Sequence, residues 1–190
     1  YGANGSNGVI IITTKKGTGK SKVNYAYRSG FKQITDNRFQ VLSGEEYNNM
    51  LMEMGYQDYI NNVHTDWYDL YYRNGLSQQH NLSFSGSETN GLSHYVSAGI
   101  YNEKMTIIAN NIQRYTLRSN IEKDFGGRLK FHLITSGSYN VNDMFNPSDE
   151  FYMRRPNISA YNPDGTYALR DDRGKRIFSS LAEAEQNDNT

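Results

Sequence analysis

The sequence contains no cysteine and only three prolines, and its 20 basic side chains balance its 20 acidic ones over 190 residues. The lack of cysteine excludes a disulfide scaffold and a thiolate-bound metal site. The balanced charge gives no basic footprint of the kind that nucleic-acid binding requires. The sequence also lacks any apolar run of the roughly 18 residues that a membrane-spanning helix needs. This last absence does not exclude a membrane β-barrel, because barrel strands alternate apolar and polar residues and escape hydropathy averages.

Aromatic residues are abundant, with 16 tyrosines and 8 phenylalanines. Tyrosine favours β-strands, and it also favours boundaries between water and an apolar phase because its ring is apolar and its hydroxyl is not. The composition therefore favours a β-rich protein that meets such a boundary.

Five segments alternate polar and apolar residues, the pattern of a strand with two different faces. In the clearest of them, residues 80–86, Leu82 and Phe84 lie on the opposite side from Ser83 and Ser85. The other four segments are residues 23–32, 92–101, 112–121 and 128–141. In each, one side is apolar and the other carries charges and hydroxyls. The sequence thus predicts an all-β fold built on an antiparallel meander.

The connections between these predicted strands alternate in length. About 46 residues separate the first strand from the second, and four or five separate the second from the third. About ten residues separate the third from the fourth, and about six separate the fourth from the fifth. Nearly fifty residues follow the fifth strand. Outer-membrane barrels sort their connections in this way, with short turns at one end and long loops at the other. Five strands cannot close such a barrel, which needs about eight or more. Since the sequence also begins without a methionine, we expect it to be part of a longer protein.

A helix and a possible metal site fall in the long connection. The pattern Ser43-Gly-Glu-Glu46 is a capping box, and it predicts a short helix to about Met54. The following stretch from Tyr56 to Leu76 looks irregular. Its histidine and two aspartates, at positions 64, 66 and 69, suggest a metal site. Without a second histidine at ligand spacing, a hydrogen-bonded loop is the better interpretation, so we expect no metal and no cofactor.

Several motifs resemble one family of membrane proteins. Residues 1–17, YGANGSNGVIIITTKKG, resemble the end of the plug domain of TonB-dependent outer-membrane transporters of the SusC/RagA family of Bacteroidetes. Further segments similar to that family are TDW at 65–67, QHNLSFSGS at 79–87, YVSAGIY at 95–101, RYTLRSN at 114–120 and NPDG at 162–165. The sequence departs from the family at Asn4, where arginine is usual, and at Ser87, where a second glycine is usual. The likeness covers nearly the whole chain in order.

The resemblance implies a fragment of an antiparallel transmembrane β-barrel that would have about 22 strands in the intact protein. Residues 1–20 would be the C-terminal end of the plug domain, and residues 21–190 the N-terminal part of the barrel, with about five strands and their extracellular loops. It also implies the outer membrane of a Gram-negative bacterium and import of oligosaccharides or peptides with energy from the TonB complex. A SusD-like lipoprotein would be a partner, and no catalysis is implied.

Four basic side chains would face the lumen of such a barrel: Arg28, Arg114, Arg118 and Lys130. Because lumen-facing residues are polar by default, we expect them to solvate the interior and to pair with plug carboxylates. A direct role in holding substrate is the alternative.

Four aromatic residues in the long connection are candidate substrate-binding residues: Trp67, Tyr68, Tyr71 and Tyr72. Aromatic rings stack on the apolar faces of sugars, and this is the functional hypothesis for them. The same rings also suit an interfacial aromatic girdle or a surface that packs on the partner lipoprotein.

A soluble carbohydrate-binding β-sandwich, or an accessory domain of a secreted hydrolase, is the competing interpretation. It explains the tyrosines but not the sorted loop lengths. The two interpretations differ at the apolar side of the strands. A sandwich would bury Leu82, Val96, Leu117 and Phe131 against a second layer of this same chain, whereas a membrane barrel would leave them on an outer surface.

Overall fold

The computed structural model describes residues 14–34, 41–144, 146, 153–168 and 170. Of the predicted end of the plug domain, residues 1–20, the first 13 residues therefore lie outside the described residues. Contacts divide the chain into two compact units. The first contains residues 1–28, 79–101 and 114–140, and the second contains residues 29–78, 102–113 and 141–190.

The predicted all-β class and antiparallel meander are confirmed. Five antiparallel strands form one open sheet whose spatial order is the sequence order. The strands are β1 (Lys22–Lys32), β2 (Gly75–Ser87), β3 (Leu92–Lys104), β4 (Asn111–Asp124) and β5 (Lys130–Asp143). Four of them contain one of the alternating segments of the sequence, and β5 contains the fifth segment except for its first two residues, 128 and 129.

The lengths of the two tight turns are confirmed, and the other two connections are shorter than the sequence suggested. Residues 33–74 join β1 to β2, residues 88–91 join β2 to β3, and residues 125–129 join β4 to β5. The connection between β3 and β4 is only 105–110, where the sequence suggested about ten residues. The difference arises because strand pairing continues to Lys104 and resumes at Asn111, beyond the alternating stretch on each side.

The turn between β4 and β5 is organised by one carboxylate. Oδ1 of Asp124 accepts hydrogen bonds from the backbone N–H groups of Gly126, at 3.0 Å, and Gly127, at 2.9 Å. Both glycines have positive φ angles, 87° and 83°, which a residue with a Cβ adopts only at a cost. The adjacent pair of glycines therefore permits this tight reversal.

The predicted helix is present as α1 (Gly44–Glu53), with its capping box complete. The Glu46 amide donates to the Ser43 hydroxyl at 3.2 Å, and the Ser43 amide donates to the Glu46 carboxylate at 2.8 Å. This backbone hydrogen bond, and then the Ser43 hydroxyl, hold the pKa of Glu46 below its usual range. The carboxylate therefore stabilises the start of the helix above its unfolded pKa, and this contribution is lost as pH falls through the lower folded value.

Two further helical segments occupy the stretch that the sequence suggested was irregular. A 3-10 helix covers Gln57–Tyr59, and α2 covers Trp67–Tyr71. The signal for α2 is Asp66, whose side chain accepts hydrogen bonds from the amides of Tyr68 and Asp69 as an N-cap. None of the helices in the described residues has the length and apolar character to span a membrane.

The capping box gives a direct test of this loop. Replacing Ser43 by alanine should destabilise α1 by about 1 kcal/mol, because the Glu46 amide loses the hydroxyl that accepts its hydrogen bond. Hydrogen exchange of peptides covering residues 41–54 in the intact protein should then accelerate by roughly fivefold. Asn49→Ala, at an exposed position of the same helix, is the matched control. Equal exchange in the two variants would show that the capping box does not stabilise α1.

Candidate functional site

The polar side of the sheet is one continuous surface, and three residues of neighbouring strands establish it. A Cβ added at Gly99 of β3 would lie 2.6 Å from Oδ1 of Asn81 in β2 and 2.7 Å from Oγ1 of Thr116 in β4. These three positions therefore share one face. The alternation predicted from the sequence places the serines of β2 and the arginines of β4 on the same side.

A segment without regular secondary structure, Thr14–Lys20, lies on this polar face. The Asn120 side-chain amide donates to Thr14 Oγ1 and to the Lys15 carbonyl oxygen, both at 3.0 Å. The Ser93 hydroxyl donates to the Gly17 carbonyl oxygen at 2.6 Å. Since Asn120 is only 4% exposed, these contacts form a buried anchor for the segment.

Charge adds to this anchor. Nζ of Lys16 lies 2.7 Å from the Glu122 carboxylate. His132 of β5 makes a 2.9 Å hydrogen bond with Oδ1 of Asn120, so the amide that holds the segment is itself fixed from the other side. Asparagine is depleted in strands, and an asparagine in the centre of β4 was the one sequence signal for this site.

Gly17 is the point of closest approach between the segment and the sheet. A Cβ at this position would lie 2.0 Å from the His94 carbonyl oxygen and 2.2 Å from the Gly86 carbonyl oxygen. Both obstacles are backbone atoms, so a side chain cannot be accommodated by rotating a neighbour. The absence of a Cβ is therefore required for the segment to lie on the sheet.

Two of the four predicted lumen-facing cations have partners along the sheet. Nε of Arg114 donates to Oδ1 of Asn140 at 2.9 Å. Nζ of Lys130 lies 3.2 Å from the Asp124 carboxylate at the turn. These contacts fit a structural role for the two side chains.

The other two cations, Arg28 and Arg118, are exposed. By the alternation of strand residues, their positions in β1 and β4 fall on the polar face. Whether all four cations face a lumen stays a prediction.

The opposite side of the sheet is apolar and open. Leu82, Leu117 and Phe131 are 52%, 57% and 52% exposed, and Val96 is half-buried. No second layer of the described residues covers these side chains. On this side the Tyr25 hydroxyl makes a 2.7 Å hydrogen bond with Nδ1 of His80, which gives the histidine a polar partner.

The second unit contains a separate aromatic cluster. Trp67 and Tyr71 are 5% and 0% exposed and pack with Ala160. Nε1 of Trp67 donates to the Arg155 carbonyl oxygen at 3.1 Å, and the Arg154 guanidinium lies 4.9 Å from the Trp67 ring centroid. These two aromatic residues therefore form the core of the loop.

The other two candidate aromatic residues are more accessible. Tyr68 and Tyr72 are half-buried, with ring centroids 4.5 Å apart. Of the four predicted substrate-binding residues, only these two have side chains that are partly exposed to solvent. Substrate contact stays a prediction.

His64 and Asp66, two of the three residues considered for a metal site, form hydrogen bonds within the loop. The Gly44 amide donates to Nδ1 of His64 at 3.0 Å, and Asp66 caps α2. Across the residues that the structure describes, no group of three or more acidic or histidine side chains is arranged to hold a metal ion.

Known proteins resemble this chain in sequence and in fold. No protein-family model matches it. The chain is 29% identical to TonB-dependent receptor P3 of Formosa agariphila over 89% of its own length, and 34% identical to TonB-dependent receptor SusC of Bacteroides thetaiotaomicron over 70%. The chain belongs to the SusC/RagA family of TonB-dependent receptors. It spans only 18% and 14% of these two relatives.

A solved structure agrees with this family. The RagAB peptide importer in its closed-closed state superposes with a TM-score of 0.69 over 94% of this chain and 25% of that one, at 19% identity. Identity at this level shows the fold alone. The open sheet of this SusC/RagA-family chain thus matches part of a TonB-dependent receptor barrel.

The anchor of Thr14–Lys20 on the sheet can be tested at Gly17. In the intact receptor, Gly17→Ala should displace the segment and cost roughly 1–3 kcal/mol or more, because two backbone oxygens block the added Cβ. Hydrogen exchange of residues 14–21 should rise accordingly. Gly137→Ala is the matched control, because a Cβ there meets nothing within 4 Å. If both variants leave exchange at 14–21 unchanged, the segment does not rest on the sheet as described.

Proposed function

We propose that this chain is part of an outer-membrane active transporter of a Gram-negative bacterium, which imports oligosaccharides or peptides with energy from TonB. The observation that carries the proposal is the open sheet with two opposite faces. One face exposes large apolar side chains, and the other is polar and hydrogen-bonded to Thr14–Lys20. In a barrel wall, the first face meets lipid and the second faces a plugged interior.

The apolar face is unsuited to water. Val23, Phe31, Leu129 and Tyr139 are 68%, 67%, 62% and 68% exposed, in addition to the strand residues described above. An apolar surface of this kind on a water-soluble protein is an aggregation hazard, as are the outer edges of β1 and β5, which pair with no further strand of the described residues. Lipid would cover the face, and further strands of the barrel would pair with the edges.

The path of the chain before β1 supports the proposed division into domains. Residues 1–20 would be the end of the plug domain, and residues 21–190 the N-terminal part of the barrel. Thr14–Lys20 has no regular secondary structure and lies on the polar face, after which Lys22 begins the first strand of the sheet. A chain that leaves an interior domain and enters the surrounding wall would follow this path.

The connections support an orientation in the membrane. In a meander, successive connections alternate between the two ends of the sheet. The tight turns 88–91 and 125–129 therefore share one end, and the helix-containing connection 33–74 shares the other with 105–110. Short periplasmic turns and longer extracellular loops are the rule for outer-membrane barrels. The loop with α1 and α2 would then lie outside the cell, where a SusD-like lipoprotein would cap the mouth.

The imported substrate would be a peptide or an oligosaccharide. One structural neighbour is a peptide importer, and oligosaccharides are the other class that the family resemblance implies. Tyr68 and Tyr72 would contact either kind of solute from the loop. The curated relatives are receptors, so we propose transport and not catalysis.

The soluble β-sandwich is disfavoured by the same apolar face. A sandwich buries that face under a second sheet about 10 Å away. The described residues provide only one sheet, and Leu82, Leu117 and Phe131 are about half exposed on it.

Cell fractionation separates these two functions. We expect the intact protein to sediment with the outer membrane and to resist extraction by carbonate or high salt, because lipid covers its apolar surface. An outer-membrane porin and a periplasmic enzyme of the same cells serve as reference proteins. Recovery in the aqueous fraction would contradict the membrane assignment.

Two adjacent residues of β4 test which face meets lipid. This chain contains no cysteine, so L117C and R118C each add one labelling site to it. A fluorophore attached through L117C should be quenched by spin-labelled lipid chains, whereas one attached through R118C should not, because neighbouring strand positions point to opposite faces. Any native cysteine elsewhere in the intact protein is first replaced by serine. Equal quenching at both positions, or the reverse order, would refute the proposed orientation.

A further inference from the structure

A cleft lies beneath the N-terminal segment in the first unit, and nothing described so far occupies it. Its volume is about 370 Å³. Its walls include the segment, the start of β1, the second half of β2 and the start of β3. The residues that matter for its chemistry are Lys15, Lys16, Lys22, Ser83, Ser85 and Tyr95.

The charge of the cleft is uniformly positive. Three lysines line it, and no aspartate or glutamate does. Lys16 is neutralised by Glu122. Lys15 and Lys22 form no ion pair with any residue that the structure describes. Two uncompensated ammonium groups at one concave surface make it attractive to an anion.

Hydroxyl groups in the cleft provide the complementary donors. Ser85 is only 9% exposed, and its side chain lines the cleft. The neighbouring Ser83 hydroxyl donates to the Asn24 carbonyl oxygen at 3.5 Å. Because a hydroxyl has one proton to donate, Ser85 can donate a hydrogen bond to an oxygen atom that enters the cleft. The Tyr95 phenol is half-buried beside it.

We propose that this cleft binds one small oxyanion, a carboxylate, sulfate or phosphate group carried by a soluble ligand. Lys15 and Lys22 neutralise its charge, and the hydroxyls of Ser85 and Tyr95 donate to its oxygens. The volume is near the lower limit of small-molecule sites, so the cleft accepts the charged group and its immediate attachment and not a whole oligomer.

The thirteen residues directly before the segment do not supply this anion. Residues 1–13 contain no aspartate or glutamate, so the stretch that leads into the segment has no carboxylate side chain to place in the cleft. The inference does not depend on transport, because anion binding is measured on the purified protein without a membrane gradient. Its failure would therefore leave the proposed function standing, and the reverse also holds.

Equilibrium dialysis with radioactive sulfate tests the proposal on the purified intact protein at constant ionic strength. We expect saturable binding of one sulfate that acetate and phosphate displace. The double variant K15Q/K22Q should weaken it by at least about tenfold, since two charge-assisted contacts are lost. S85A should weaken it by about threefold or more. K20Q, which removes the same charge from an exposed lysine outside the cleft, should bind like the unmodified protein.

Three results would overturn the proposal. The first is the absence of saturable sulfate binding to the unmodified protein. The second is an equal loss of binding in K20Q and K15Q/K22Q, which would show diffuse attraction and no defined site. The third is a lower melting temperature of K15Q/K22Q without any sulfate binding, which would show that a carboxylate of the protein itself fills the cleft. If K15Q/K22Q does not fold, Lys22→Gln alone and S85A make the same comparison.

Discussion

The whole structure depends on the difference between the two faces of one sheet. Strand alternation puts apolar side chains such as Leu82, Leu117 and Phe131 on one side, and puts Asn81, Thr116 and the anchor residue Asn120 on the other. Because successive strand residues point to opposite faces, a shift of pairing by a single residue would exchange these environments completely. The strand register, the exposure of the apolar side chains and the position of the N-terminal segment are consequently set together.

The polar face makes defined hydrogen bonds to the segment Thr14–Lys20. Asn120 bonds to two atoms of the segment and to His132, Ser93 bonds to the Gly17 carbonyl, and Gly17 meets backbone atoms directly. The side chains of Asn120 and Ser93 both have hydrogen-bond partners in this contact, as burial of polar groups requires. The same arrangement leaves a positively charged recess at the margin of the contact, lined by Lys15, Lys22 and the Ser85 side chain.

The sequence was sufficient for the features that depend on local pattern. Alternation located all five strands, and the capping box of Ser43 and Glu46 located α1. It was insufficient where the determinant is distant in the chain. The burial of Trp67 and Tyr71 depends on Ala160, far along the sequence, and no periodic pattern connects them. The five-residue helix α2 is too short to show periodicity, so only the Asp66 cap marked it.

The attachment of Thr14–Lys20 has a mechanical consequence. A pulling force applied to the chain before Thr14 reaches the two hydrogen bonds of Asn120 first, then the Lys16–Glu122 pair and the bond from Ser93, before any strand of the sheet is strained. These contacts lie one after another along a few residues, so they would yield in succession and not all at once.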